Sequence, residues 1–140
     1  MTPRDLSPAS IAVSAGRPHA PGDPLSAPIT LASALVPGGD AEYARAGNPV
    51  WAPLETIVGE LEGGDALAFA SGIAASAAVF SLVPAGGVVV APTHGYYGTT
   101  HQLRQRGDVE VRLVDVSDTP STVDAMRGAT HVWLESPTNP

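Results

Sequence analysis

Val88-Val89-Val90-Ala91 is an unbroken apolar run in which three residues of four are β-branched. Alternating polar and apolar residues would mark a strand with one wet face, whereas a run like this reads as a strand covered on both faces. Further short strands are expected at Leu67–Phe69, Val109–Val114 and His131–Leu134, with helices between them at Ile73–Val83, Thr99–Arg106 and Ser121–Arg127. Strand and helix alternating through short connections imply right-handed crossovers and a mainly parallel sheet with flanking helices. The expected fold class is α/β.

Upstream the texture changes. Pro3, Pro8, Pro18, Pro21, Pro24, Pro28 and Pro37 punctuate the first 48 residues, a spacing that predicts an extended arm over 1–48 rather than helix or ladder. Leu25, Ile29, Leu31 and Leu35 recur in its second half and suggest docking on a surface. From Asn48 a helix is expected, with Trp51, Leu54, Val58 and Leu61 at helical spacing and Gly63-Gly64 as its stop. Pro53 places the start of its regular part a turn after Asn48. Residues 49–140 then form an incomplete α/β domain.

Composition removes several classes of function. A net charge of −7 without long single-sign runs argues against nucleic acid or anionic lipid as partner. The absence of cysteine removes disulfides, thiolate zinc sites and a cysteine nucleophile. His19, His94, His101 and His131 lack metal-ligand spacing, so no metal is expected. Ala66 to Val83 runs 18 residues without a charge, but its Ser71-Gly72 break suits a buried strand and helix better than a membrane span. The N-terminus does not look like a secretory signal, and the expected location is the cytoplasm. All seven basic residues are arginine; there is no lysine.

Ser71-Gly72-Ile73, between a strand and a helix, leaves the first amides of that helix free and facing the positive end of its dipole, which makes a seat for an anion such as phosphate. The same Ser-Gly could simply cap the helix. In open α/β sheets, ligands gather at the carboxyl ends of the strands. Three more segments are delivered there: Tyr96-Tyr97-Gly98-Thr99-Thr100, Asp115, and Glu135-Ser136-Pro137-Thr138-Asn139-Pro140. An anion seat beside an aromatic plate suits a flat phosphorylated ring.

Five blocks carry a resemblance. Tyr43-Ala44-Arg45-Ala46-Gly47-Asn48-Pro49 with Leu54-Glu55, Leu61-Glu62-Gly63-Gly64, Ala68-Phe69-Ala70-Ser71-Gly72-Ile73-Ala74-Ala75, Tyr97-Gly98-Thr99-Thr100 and Glu135 to Pro140 occur in order. Together they resemble the pyridoxal-phosphate enzymes of cysteine and methionine metabolism, such as cystathionine γ-lyases and γ-synthases. The resemblance implies the N-terminal part of a large domain of aspartate aminotransferase type (type I) and pyridoxal 5'-phosphate as cofactor. Ser71 and the amides of Gly72 and Ile73 would hold the phosphate, Tyr97 would stack on the ring, Asn139 would reach the ring hydroxyl and Glu135 would steady its loop. Tyr43 and Arg45 would complete the phosphate site of a neighbouring subunit in a homo-oligomer, a dimer of dimers. Ala44, Val50, Ile73 and Thr99 depart from the family's usual residues, and Thr99, where glycine is usual, predicts altered loop geometry.

The resembled enzymes form a Schiff base through a lysine, which this chain lacks, so no catalytic residue is assigned within it. It reads as part of an enzyme eliminating or replacing the γ substituent of cystathionine or an activated homoserine, inactive alone. A catalytically dead module that assembles with an intact homologue, and an unrelated phosphate- or nucleotide-binding domain, remain as alternatives.

Overall fold

The computed structural model describes residues 6–138. These divide into two compact units, one reaching Ala68 and the other beginning at Phe69. Among the described residues no helix is long and apolar enough to cross a membrane.

In the first unit the arm is not extended throughout. Pro8–Ser14 forms a short helix, α1, because Ser7 accepts the Ser10 amide and Pro8 occupies the first turn, where its missing N–H costs nothing. Proline spacing therefore misleads here: the same residue that breaks a helix interior starts one. An isolated antiparallel bridge joins Ala34 to Tyr43, flanked by hydrogen bonds from the Leu35 amide to Glu42 and from Ala44 to Ser33. Ala52–Glu62 forms α2, delayed past Asn48 as Pro53 implied, and Gly63 ends it in the left-handed conformation at φ 71°. The stretch 65–69 has no sheet partner, so the strand expected at Leu67–Phe69 is a correction. A strand exists only where another pairs with it, and among the described residues none does; the Ala68 amide instead donates to Glu55 at 2.8 Å.

The second unit carries the parallel sheet. Val88–Pro92 (β1) lies between Glu110–Val114 (β2) and His131–Val132 (β3), both pairs parallel, in the order β2-β1-β3. The helices Gly72–Ser81 (α3), Tyr97–Gln105 (α4) and Thr119–Ala125 (α5) connect and cover it. Asp118 caps α5, three residues before the expected start at Ser121. Val89, Val90 and Ala91 are 0%, 0% and 1% exposed, as the β-branched run requires. On one face Val89 and Ala91 pack with Phe80 of α3, Val83 just beyond that helix and Leu103 of α4, backed by Val111 and Trp133. Val90 points the other way, in register with Arg112, whose guanidinium reaches the carbonyls of Ala125 and Arg127 and so holds the end of α5 on that face.

Arg106 treats α3 in the same way. Its guanidinium donates to the carbonyls of Phe80 and Val83 at the end of α3 and is oriented by two bonds to Asp108. Helix ends leave such carbonyls without partners. A planar fork serves two carbonyls and a carboxylate at once, a task for which an ammonium has the wrong geometry. Replacing Arg106 with Ala is expected to lower the melting temperature by about 5 °C, and Arg106→Lys to recover less than half of that. The hydrogen bond from Arg106 holds the Asp108 carboxyl below its ordinary range. Its stabilisation is therefore complete at neutral pH and lost as pH falls through the carboxylate range. Thermal scans from pH 7 to pH 3 should show a smaller acid loss in Asp108→Asn than in the wild type.

Candidate functional site

Ser71 enters α3 in an extended conformation, φ −159° and ψ 156°, so its side chain turns back over the helix start. Its hydroxyl oxygen accepts the Ala74 amide at 3.2 Å, and its carbonyl lies 3.1 Å from the amides of Ala74 and Ala75. The two earlier amides, of Gly72 and Ile73, have no acceptor among the described residues. A Cβ placed on Gly72 would meet nothing within 4 Å. Two donors at the positive end of a helix therefore open on free space.

That space is an open cavity of about 490 Å³. Ser71, Gly72 and Ile73 form one wall, Tyr96 and Thr99 at the start of α4 a second, and Trp133 and Glu135 after β3 a third. The walls are tied together. Gln102 of α4 donates to the Ile73 carbonyl at 2.9 Å, and the Ser76 hydroxyl lies 3.0 Å from both that carbonyl and the Gln102 amide oxygen. Gly98 is where α4 approaches α3: a Cβ there would come 2.6 Å from Ile73 Cδ1 and 2.6 Å from Tyr96 Cε1. Glu135 Oε2 accepts the Tyr96 amide at 2.7 Å and Oε1 the Trp133 indole N–H at 2.9 Å. Desolvation pushes the Glu135 pKa up, but hydrogen bonds from Trp133, Tyr96 and Thr99 outweigh it and hold the carboxyl below its ordinary range.

The structure brings Ser71, Gly72 and Ile73 together with Tyr96, not with Tyr97. Tyr97 is the first residue of α4, 74% exposed, with its ring stacked on His101 one turn later at 5.5 Å. The two tyrosines are adjacent in sequence, but the helix start separates them: the N-cap position faces back toward the strand ends and the next one outward. Thr99 is buried within α4, and among the described residues no side-chain-bearing residue has a positive φ. The altered geometry expected at Thr99 does not arise, because a helical position needs no glycine. Asp115 turns its carboxylate onto the amide and hydroxyl of Ser117 rather than into the cavity. Tyr43 and Arg45 lie in the first unit, with the guanidinium 4.8 Å above the Tyr43 ring. Asn139 lies outside the described residues.

The sequence matches the family described as Cys/Met metabolism PLP-dependent enzyme over residues 22–140. The chain belongs to this family. Among curated relatives, mouse cystathionine gamma-lyase is 37% identical over 123 residues, covering 81% of this chain and 31% of its own length. The solved structure of metB from Corynebacterium glutamicum superposes with a TM-score of 0.87 at 27% identity, over 100% of this chain and 40% of that one. A cystathionine gamma-lyase (CalE6) from Micromonospora echinospora gives 0.83 at 32% identity, over 96% and 38%. The chain thus spans about a third of the length of the curated relatives it matches. Membership of the family implies pyridoxal 5'-phosphate, and the donor set fits it: two unpartnered amides for a phosphoryl group, open space at Gly72, and an aromatic wall within the same cavity.

The close approach at Gly98 has a measurable consequence in this PLP-family chain. Alanine there gains about 1 kcal/mol of helix propensity but must push aside the side-chain ends of Ile73 and Tyr96. Gly98→Ala is expected to change the melting temperature by less than about 3 °C. Nuclear magnetic resonance should nevertheless show the Tyr96 ring and Ile73 methyl signals displaced.

Proposed function

We propose that the chain supplies the phosphate seat and one ring wall of a pyridoxal-phosphate enzyme of the trans-sulfuration type, acting on cystathionine or an activated homoserine by γ-elimination or γ-replacement. The observation that carries this reading is the pair of unpartnered amides at Gly72 and Ile73 opening on the cavity that Tyr96 lines. When bound, the cofactor supplies an electron sink for amino-acid substrates.

The residues of this chain bind and orient. The Gly72 and Ile73 amides hold the phosphoryl oxygens with the α3 dipole behind them, and Ser71 keeps the helix start in shape by taking up the next amide. Tyr97, the first residue of α4, fixes the plane of the ring by stacking, as the family resemblance implies, and Tyr96 lines the cavity wall beside it. Asn139 reaches the ring hydroxyl, as the family resemblance implies. Tyr43 and Arg45 contribute to the phosphate site of a neighbouring subunit in a cytoplasmic homo-oligomer, where the arginine fork suits bidentate phosphate binding. With no lysine in these 140 residues, the chain holds the cofactor without a covalent bond. A second reading is a non-catalytic module that assembles with an intact homologue and lends it Tyr43 and Arg45. Native mass spectrometry of the two mixed would then give hetero-oligomers.

Gly72→Pro tests the seat. Proline is accepted at the first helical position, and Ser71 already has the extended backbone that a residue before proline requires. The helix should persist while one donor is lost. Titration of tryptophan fluorescence with pyridoxal phosphate should show affinity reduced about tenfold, with pyridoxal lacking the phosphate unaffected. Unchanged affinity for the phosphorylated form would remove the seat from this turn.

A further inference from the structure

α3 and α4 run in the same direction with their starts level. Gly98 lies against Ile73, Gln102 bonds to Ile73 and Ser76, and Arg106 reaches the carbonyls of Phe80 and Val83, so the contacts climb both helices together. Tyr97, beside Gly98, therefore stands at the end of α4 nearest the anion-binding turn of α3. Its ring is largely exposed, and an exposed tyrosine on a helix ordinarily turns about its side-chain bonds. Here one face of the ring is covered. The imidazole of His101, one helical turn on, stacks on it with centroids 5.5 Å apart and planes at 24°. The Tyr97 hydroxyl lies 3.5 Å from His101 Nδ1, long for a hydrogen bond, so the ring faces carry the contact. His101 also lines a groove between α3 and α4 with Ala77, Phe80 and Ser81, and α3 thus flanks the imidazole.

We propose that His101 is a positioning residue for the cofactor ring: its imidazole covers one face of Tyr97, holds the tyrosine in one orientation and leaves the opposite face for the flat ring that the anion-binding turn anchors. This rests on the reading of that turn and Tyr97 as the cofactor site. An aromatic ring has two faces, and offset stacking can use both. Ordering a free side chain on binding costs affinity, and a tyrosine already ordered by His101 avoids that cost. The contact asks for a flat ring at position 101, not for a charge or a hydrogen-bonding nitrogen. Phenylalanine should therefore replace His101 and alanine should not, which distinguishes orientation of Tyr97 from a general effect on α4.

The experiment compares wild type, His101→Ala and His101→Phe as isotope-labelled full chains. Position 101 is exposed, alanine favours a helix more than histidine does and phenylalanine about as much, so both variants should fold. In the wild type, side-chain couplings should give one Tyr97 χ1 rotamer, and nuclear Overhauser contacts should join its ring to that of His101. Rotamer averaging in the wild type would overturn the proposal without any variant. In His101→Ala the tyrosine should average between rotamers and affinity for pyridoxal phosphate should fall about threefold. Affinity for inorganic phosphate should not change, since the Gly72 and Ile73 amides, not position 101, take the phosphoryl oxygens. His101→Phe should restore both the single rotamer and the affinity. Unchanged pyridoxal phosphate affinity in His101→Ala, equal losses for both probes, or His101→Phe as weak as His101→Ala would overturn it. If the wild type binds neither probe, the cofactor-site reading fails, while the rotamer measurements still decide whether His101 orients Tyr97.

Discussion

An α-helix begins with amides that its own backbone does not satisfy, and at α3 that shortage is met only in part. Ser71 takes up the amides of Ala74 and Ala75 through its carbonyl and hydroxyl. Gly72 and Ile73 remain, with nothing near the glycine to fill the space. Everything else in the second unit keeps that start in place and open. β1, buried on both faces, fixes the sheet, and the sheet delivers the strand ends around the turn.

Side-chain tethers rather than extended apolar contact hold the helices in register. Gln102 and Ser76 lock the first turn of α3 to α4, and Arg106 holds its last turn. Arg112 does the same for α5. Each arginine is also oriented by an acidic neighbour two residues away, Asp108 or Glu110. These exposed ion pairs are weak as charge pairs. Their use is to aim a fork at the carbonyls that end α3 and α5.

Much of this architecture was legible in the residues. The β-branched run at Val88, the spacing of the helices and the glycine stops predicted a parallel sheet, and the family blocks predicted the cofactor. What escaped the sequence depended on partners or on a helix register. Leu67–Phe69 has the composition of a strand, but pairing is not a property of composition. α1 hid behind Pro8, whose effect reverses between the first turn of a helix and its interior. The misgiving about Thr99 vanished once that position proved helical. The hydrogen bond from the Tyr96 amide to Glu135 had no local signal, since the two residues lie some forty positions apart.

The most direct measurement is a residue-resolved amide titration of the labelled chain with pyridoxal phosphate and, in parallel, with dephosphorylated pyridoxal. The amide signals of Gly72 and Ile73 should move saturably with the phosphorylated compound and stay still with the other, the Tyr97 ring signals moving with them. Phosphate-dependent shifts centred elsewhere, with Gly72 and Ile73 unmoved, would contradict a phosphate seat at the start of α3.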